Sequence, residues 1–176
     1  MRILKWLVGF IVVLAIVFVA GGYLLPREVA VARSVQIDAP AAAVFEKVNS
    51  LKAGQDWSPW LGRDPDMSIE YAGPEAGVGA EMTWASEDPQ VGQGHQKIVV
   101  SEANKRVETE LDFGEMGTAK AAFILDEDGA ATNVTWTLLA DMGEGPAGRW
   151  MGLMMDGWVG ADYEAGLANL KALIEG

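Results

Sequence analysis

The sequence contains no cysteine and a single histidine, His95. The absence of cysteine excludes disulfides, thiolate nucleophiles and cysteine-ligated zinc or iron–sulfur sites. His95 is followed by Gln96 and Lys97, so its neighbours along the chain supply no partner for general-base catalysis and no helical His–Glu metal pair. We therefore predict no catalytic residue, no metal site and no cofactor.

Positive charge is also scarce. The 176-residue chain has a net charge of −12, and residues 34–176 hold 9 lysines and arginines against 24 aspartates and glutamates, a balance of −15. An acidic body repels nucleic-acid phosphates and anionic lipid headgroups. The charge therefore argues against a nucleic-acid partner and against membrane docking through a basic patch.

One long uncharged run is present, the 20 residues from Trp6 to Leu25. A helix of this length spans ~30 Å, which matches the hydrocarbon core of a bilayer. Trp6 and Tyr23 stand near its two ends, where aromatic side chains favour the membrane interface, and Pro26 stops the helix. We predict a transmembrane anchor at residues 1–27 and a separate domain at residues 28–176.

A cleaved signal peptide is the alternative, but its apolar stretch is usually only about 7–15 residues long. Arg2 and Lys5 precede the run, while Arg27 and Arg33 follow it, so the charge difference across the segment is small. The short N-terminal tail favours a single-pass protein of the cell inner membrane, with its body outside the cytoplasm.

The body shows strand periodicity over most of its length. Residues 28–37 alternate, with Val29, Val31, Val35 and Ile37 on one parity, which predicts a half-buried strand. Residues 38–50 predict a helix with Asp38 as its N-cap and Pro40 near its first turn, and a further helical turn is expected at 51–56. Six more strands follow between turn signals, at 67–71, 81–85, 95–103, 104–113, 119–129 and 132–141.

The chain ends in an amphipathic pattern at 159–176. Tyr163, Leu167, Leu170 and Ile174 recur at spacings of four, three and four residues, which predicts a helix that packs on the sheet. The order is therefore one strand, short helices, six strands and a long terminal helix.

Several segments carry a family resemblance: "SVQIDAPAAAVFEKVNS", "WSPW", "YAGPEAGVGAEMTW", "VTWTL" and "DYEAGLANLKALIE". Together they resemble the helix-grip fold of the START-like superfamily, the polyketide cyclase/dehydrase and lipid-transport group, and they resemble most its bacterial members with an N-terminal membrane helix. The resemblance implies an α+β fold in which a curved antiparallel sheet surrounds the C-terminal helix. It also implies a pocket between that sheet and that helix.

Aromatic and methionine side chains on the inward parities are the candidate ligand contacts, because they are apolar and adaptable. The predicted ligand-binding residues are Trp60, Tyr71, Trp84, Phe113, Phe123, Trp136, Met154, Trp158 and Tyr163.

Two segments that contain aromatic side chains, residues 57–60 and residues 148–158, allow more than one interpretation. In "WSPW", Trp57 and Trp60 favour a packing role under the closing helix, and Trp60 is the better candidate for a ligand contact. The Met- and Gly-rich segment at 148–158 is either a gate at the pocket entrance, an ordinary lead-in to the helix, or a segment that dips into the membrane.

We therefore expect a membrane-anchored module that binds a hydrophobic small molecule or lipid in an apolar cavity. A cyclase or dehydratase acting on an apolar substrate is a second hypothesis, and it requires a polar group inside the pocket. A non-catalytic interaction or envelope scaffold is the third, and it requires a cavity filled by the protein's own side chains.

Overall fold

A computed structural model describes residues 2–176. Helix α1 spans Arg2–Leu24, α2 spans Ala41–Val48 and α3 spans Pro146–Glu175. The seven strands are β1 (Glu28–Ile37), β2 (Ser68–Ala72), β3 (Glu81–Ala85), β4 (Gln93–Glu102), β5 (Arg106–Asp112), β6 (Thr118–Asp128) and β7 (Ala131–Asp141). Short 3₁₀ helices lie at Ala53–Asp56 and Gly114–Met116.

The strands form one antiparallel sheet in the order β1-β7-β6-β5-β4-β3-β2. Because side chains alternate between the faces of a sheet, the cross-strand pairing assigns one set of residues in each strand to the inner face, with a single register shift in β4 between Ile98 and Val100. Trp136 of β7 lies opposite Phe123 of β6, and Trp84 of β3 lies opposite Gly94 of β4. The curved sheet and the long C-terminal helix confirm the predicted α+β helix-grip fold.

The core lies between the inner face of the sheet, α2 and the second half of α3. Val31, Val44, Val134 and Leu170 are at most 1 % exposed. Tight packing of such side chains supplies the main stabilisation of a small domain. The alternation read from the sequence at 28–37 and 104–113 therefore identified the buried face correctly.

Helix α3 runs along the edge strand β1 for the whole length of that strand. Gly152 packs against Val29 near the start of β1, and the backbone N–H of Asp38, just after its end, donates to the Glu175 carboxylate. Between these points Lys171 donates to the Gln36 carbonyl oxygen over 2.7 Å. The helix therefore covers the β1 side of the sheet and leaves the β2–β5 side less protected.

Arg33 fixes the position of α3 on β1. It occupies the inward parity of β1 and packs against Gly160, where a Cβ atom would collide with its guanidinium group. Its Nη1 and Nε donate to Asp156 and Glu164 of α3 over 2.9 and 2.7 Å. These two carboxylates raise the pKa of Arg33, so the guanidinium group stays charged and joins two turns of the helix to one residue of the strand.

Two helix boundaries differ from the prediction. Helix α3 begins at Pro146 rather than at 159, because Gly145 and Pro146 form a regular helix start and the methionines that follow favour helix. Asp38 does not cap α2: Pro40 is the N-cap residue, and the carboxylate of Glu127 from β6 accepts the free N–H of Ala41. A long-range contact thus replaces the local cap.

Only residues 25–27 connect α1 to β1. Arg27 pairs with Asp141 at the end of β7, with Nη2 to Oδ2 at 2.6 Å. Arg149 of α3 donates to the carbonyl oxygens of Tyr23 and Leu25 over 3.2 and 3.1 Å. The carboxyl end of α1 is thus held by polar contacts from both the sheet and α3.

Two glycines of α3 provide a matched test of its packing. A Cβ at Gly157 would have no described atom within 4 Å, whereas a Cβ at Gly166 would stand 2.8 Å from Cζ3 of Trp136 and 3.1 Å from Cδ of Pro59. Gly157→Ala should raise the free energy of unfolding by about 1 kcal/mol through helix propensity. Gly166→Ala should lower it, because overpacking costs about 1–3 kcal/mol. Urea denaturation of the full chain in detergent measures both, and an equal rise would contradict tight packing at Gly166.

The junction between Arg27 and Asp141 predicts a pH dependence. The hydrogen bond from Arg27, with a further bond from the Gly143 N–H, lowers the pKa of Asp141 from 3.8 to about 2. A carboxylate whose pKa is depressed by folding stabilises the fold above its ordinary pKa and loses that contribution as the pH falls towards the folded value. The difference in thermal midpoint between the wild type and Asp141→Asn should therefore shrink as the pH falls from about 4 towards 2. A difference that is constant over this range would contradict the ion pair.

Candidate functional site

Five aromatic rings form a closed cluster between β6, β7, α3 and the loop after the first 3₁₀ helix. The ring of Trp136 lies between Phe123, at a centroid distance of 4.7 Å, and Tyr163, at 3.9 Å, nearly parallel to both. Trp57 and Trp60 meet Trp136 edge-on at 5.4 and 5.7 Å. At these distances the rings fill this part of the interior.

The cluster brings together four of the nine predicted ligand-binding residues, namely Trp60, Phe123, Trp136 and Tyr163. Cross-strand register accounts for the Phe123–Trp136 stack, because these residues face each other directly on β6 and β7. Tyr163 is 2 % exposed, and its hydroxyl donates to the carbonyl oxygen of Thr137 over 3.4 Å. Burial raises the pKa of Tyr163, so this hydroxyl stays neutral.

A second aromatic pair lies on the β2–β5 side of the inner face. Trp84 and Phe113 meet edge-on at 6.0 Å. Trp84 lies so close over Gly94 that a Cβ there would stand 2.5 Å from its ring, and its Nε1 donates to the Val91 carbonyl oxygen over 3.4 Å. Leu111, on the same face of the sheet, is half-buried like the pair. These side chains form an apolar surface that α3 does not close.

Tyr71 borders this surface on β2, opposite Met82 of β3. It is 37 % exposed. Partial burial raises the pKa of Tyr71, while a hydrogen bond with Gln55 acts in the opposite direction. Its hydroxyl is therefore a neutral donor at the margin of the open surface.

Met154 and Trp158, the two remaining predicted residues, lie on the exposed face of α3. Their exposed fractions are 45 and 55 %. The buried stripe of the helix passes instead through Gly152, Gly160 and Tyr163. The structure thus separates these two side chains from the aromatic cluster.

Two polar groups of the interior bear on the candidate site, the hydroxyl of Thr109 and the indole N–H of Trp57, and only the second was not predicted from the sequence. Thr109 is 6 % exposed, and its hydroxyl accepts a hydrogen bond from the Gln96 side-chain amide over 3.1 Å. The buried indole Nε1 of Trp57 has no hydrogen-bond partner among the described residues. Leaving such a donor unpaired costs about 1–3 kcal/mol, so Trp57 is a candidate donor to a polar group of a ligand.

The ionisable side chains of His95, Glu81 and Lys97 lie on the opposite, outer face. His95 Nε2 stands 3.4 Å from a carboxylate oxygen of Glu81, whose other oxygen pairs with Lys97 at 2.7 Å. These contacts, Lys97 first, lower the pKa of Glu81. Among the described residues no group of three or more metal-ligating side chains is present.

Two surface grooves lie away from the aromatic side chains described above. One, of about 550 Å³, follows β1 and the second half of α3 between Arg33 and Glu175. The other, of about 640 Å³, is lined by the polar loops around Asp64 and Asp88. Both are open to solvent, and neither contains a predicted site residue.

The two aromatic groups should respond differently to truncation. Trp136→Ala should lower the free energy of unfolding by about 3–5 kcal/mol, because it removes the central ring of a closed cluster. Trp84→Ala should cost only about 1–2 kcal/mol, because its ring is partly exposed. Denaturation followed by circular dichroism measures both variants. Equal losses would show that the Trp84 side of the interior is as closed as the Trp136 side.

Comparison with solved structures agrees with this fold at low identity. The Aha1 dimer from Colwellia psychrerythraea matches with a TM-score of 0.56 at 17% identity, covering 84% of this chain and 96% of that chain. Norcoclaurine synthase from Thalictrum flavum matches with a TM-score of 0.53 at 9% identity, covering 64% of this chain and 69% of that chain. Protein CV1439 from Chromobacterium violaceum matches with a TM-score of 0.54 at 14% identity, covering 86% of this chain and 99% of that chain.

No curated protein sequence matches the chain. The family model described as "Polyketide cyclase / dehydrase and lipid transport" matches residues 28–175, which is nearly all of the body. The resemblance drawn from the sequence is thereby confirmed. The chain belongs to the polyketide cyclase/dehydrase and lipid-transport family.

Proposed function

We propose that the protein is a membrane-anchored module that binds a hydrophobic small molecule or lipid against the inner face of its sheet. The observation that carries the proposal is the half-buried apolar surface around Trp84, Leu111 and Phe113, which lies beside a closed aromatic cluster and is not covered by α3. Apolar side chains left partly uncovered inside a concave fold are typical of ligand sites.

Burial of apolar area would supply the affinity, at about 25 cal/mol per Å² removed from water. The edge-on pair Trp84–Phe113 would contact the ligand first. Tyr71 at the margin and Trp57 with its unpaired Nε1 would orient a polar end. In this proposal Trp60, Phe123, Trp136 and Tyr163 form the inner wall of the site.

Helix α1 supports the anchor. Within Ile3–Leu24, the most apolar stretch of 18 residues has a mean hydropathy of 2.8, and no residue of that stretch is buried in the protein. A helix of 22 residues is ~33 Å long, enough to cross the hydrocarbon core. The family match begins at residue 28, immediately after the helix and its short connection. We propose that residues 1–27 anchor the domain of residues 28–176 in the inner membrane, with the body outside the cytoplasm.

The inner face offers little support for a cyclase or dehydratase. Its buried hydroxyl groups belong to Thr109, which is bonded to Gln96, to Thr132, which donates to the Ala39 carbonyl oxygen, and to Tyr163, whose pKa is raised by burial. None of these three hydroxyls is hydrogen-bonded to a histidine or carboxylate among the described residues that could act as a general base. The scaffold hypothesis has one observation in its favour, because the aromatic cluster fills part of the interior with the protein's own rings.

Tryptophan emission provides the test of ligand binding. The full chain in nanodiscs is titrated with fatty acids, quinones and isoprenoids, and at least one class should give a saturable change. Trp84→Ala and Phe113→Ala should each weaken binding by about tenfold or more, since an aromatic contact contributes over ~1.4 kcal/mol.

Ile124→Ala is the matched control, because Ile124 is an apolar residue on the outer face of the sheet and is 44 % exposed. The Ile124→Ala variant should bind the ligand with the same affinity as the wild type. A wild type that responds to none of the three ligand classes would overturn the binding proposal and favour the scaffold. Equal weakening by all three variants would place the site elsewhere.

A further inference from the structure

The first half of α3, residues 146–158, presents large apolar side chains to its surroundings and small residues to the protein. Gly148 and Gly152 face Met142 and Val29 of the body. The outward side chains are between 45 and 59 % exposed: Met151, Leu153, Met154 and Trp158. This distribution reverses that of a helix on the surface of a water-soluble domain, where the outward face is polar.

Helix α1 covers part of this face. The indole N–H of Trp150 donates to the carbonyl oxygen of Phe18 over 2.9 Å, and the two rings stack at 5.9 Å. The guanidinium carbon of Arg149 lies 5.5 Å from the centre of the Tyr23 ring. Residues four positions further along a helix lie on the same side. Leu153 and Met154 therefore lie on the same side of α3 as Arg149 and Trp150, one turn beyond the residues that contact α1.

The contact between Trp150 and Phe18 sets the depth of this segment. Phe18 precedes the end of α1 at Leu24 by six residues, or ~9 Å along the helix axis. Amphipathic helices at a membrane interface bury their apolar face by about 5–10 Å. If α1 spans the bilayer, the first half of α3 lies at the depth of the boundary between headgroups and acyl chains.

The charges of the segment agree with that position. Arg149 and Asp156 are its only charged residues. Arg149 donates to the carbonyl oxygens at the end of α1, and Asp156 pairs with Arg33 at 2.9 Å. Both charges are thus engaged by the protein, while the uncharged face is left outward.

We propose that Met151, Leu153, Met154 and Trp158 form a second membrane contact, in the interface of the same bilayer that α1 spans. The proposal rests on the membrane anchor proposed above. The occupant of this face is a lipid surface, because the face is continuous with the side of α3 that packs on a helix of transmembrane length and hydropathy.

A second copy of the chain is the competing occupant, because Met151, Met154 and Trp158 recur at heptad spacing. Further along this stripe the residues are Ala161, Ala165 and Ala168. A coiled coil requires large apolar side chains along its whole seam. Here the large side chains are confined to the half of α3 beside α1, which favours lipid.

Site-directed spin labelling tests the proposal. Because the sequence contains no native cysteine, each introduced cysteine is the single site of labelling. Nitroxide labels at Leu153→Cys and Met154→Cys are compared in phosphatidylcholine nanodiscs with a control at Ala165→Cys, an exposed position in the second half of α3. The ratio of collisions with oxygen to collisions with a water-soluble nickel complex should be several-fold higher at 153 and 154 than at 165.

A label at Leu14→Cys, near the middle of α1, separates the two proposals. A lipid-exposed label at 14 with water-exposed labels at 153 and 154 would overturn the second contact and leave the anchor standing. Water exposure at 14 would overturn both. Dipolar broadening between labels at 154, in discs that hold two copies, would assign the face to a second copy and overturn the lipid contact.

Discussion

The shape of the interior depends on the alignment of α3 along β1, and the contacts of Arg33 fix that alignment. One guanidinium group binds Asp156 and Glu164, two helical turns apart, across the gap that Gly160 leaves. A helix held along the edge strand covers β1 and contacts Trp136 and Thr137 of β7, while α2 packs on β6. The division of the interior into a closed aromatic cluster and an open apolar surface follows from this placement.

Much of the fold could be predicted because strand alternation is a local property of the sequence. Val107, Thr109 and Leu111 alternate with charged residues, and the structure places them on the inner face as expected. The start of α3 was predicted too late, at 159. Amphipathicity identifies a helix by the contrast between its two faces, and before Val159 the face away from the protein is as apolar as the face towards it.

The candidate site was predictable only in part. The alternation of a strand predicts which face of the sheet a side chain occupies. Whether that face is filled or open depends on the position of α3. That position is fixed by contacts of Arg33 with residues more than 120 positions away in the sequence. Trp136 and Trp84 have the same parity signal and lie in the closed and the open part, respectively. The unpaired Nε1 of Trp57 depends on the orientation of one ring, which no sequence pattern encodes.

The three-residue connection between α1 and β1 limits how far the body can travel. Fully extended, residues 25–27 span about 10 Å, and the contacts of Arg27 and Arg149 hold them in place. In the proposed anchored state such a tether rules out a shuttle that carries cargo across an aqueous compartment to another membrane. A ligand would have to be exchanged at the surface of the protein's own bilayer, by lateral diffusion or by a partner that comes to it.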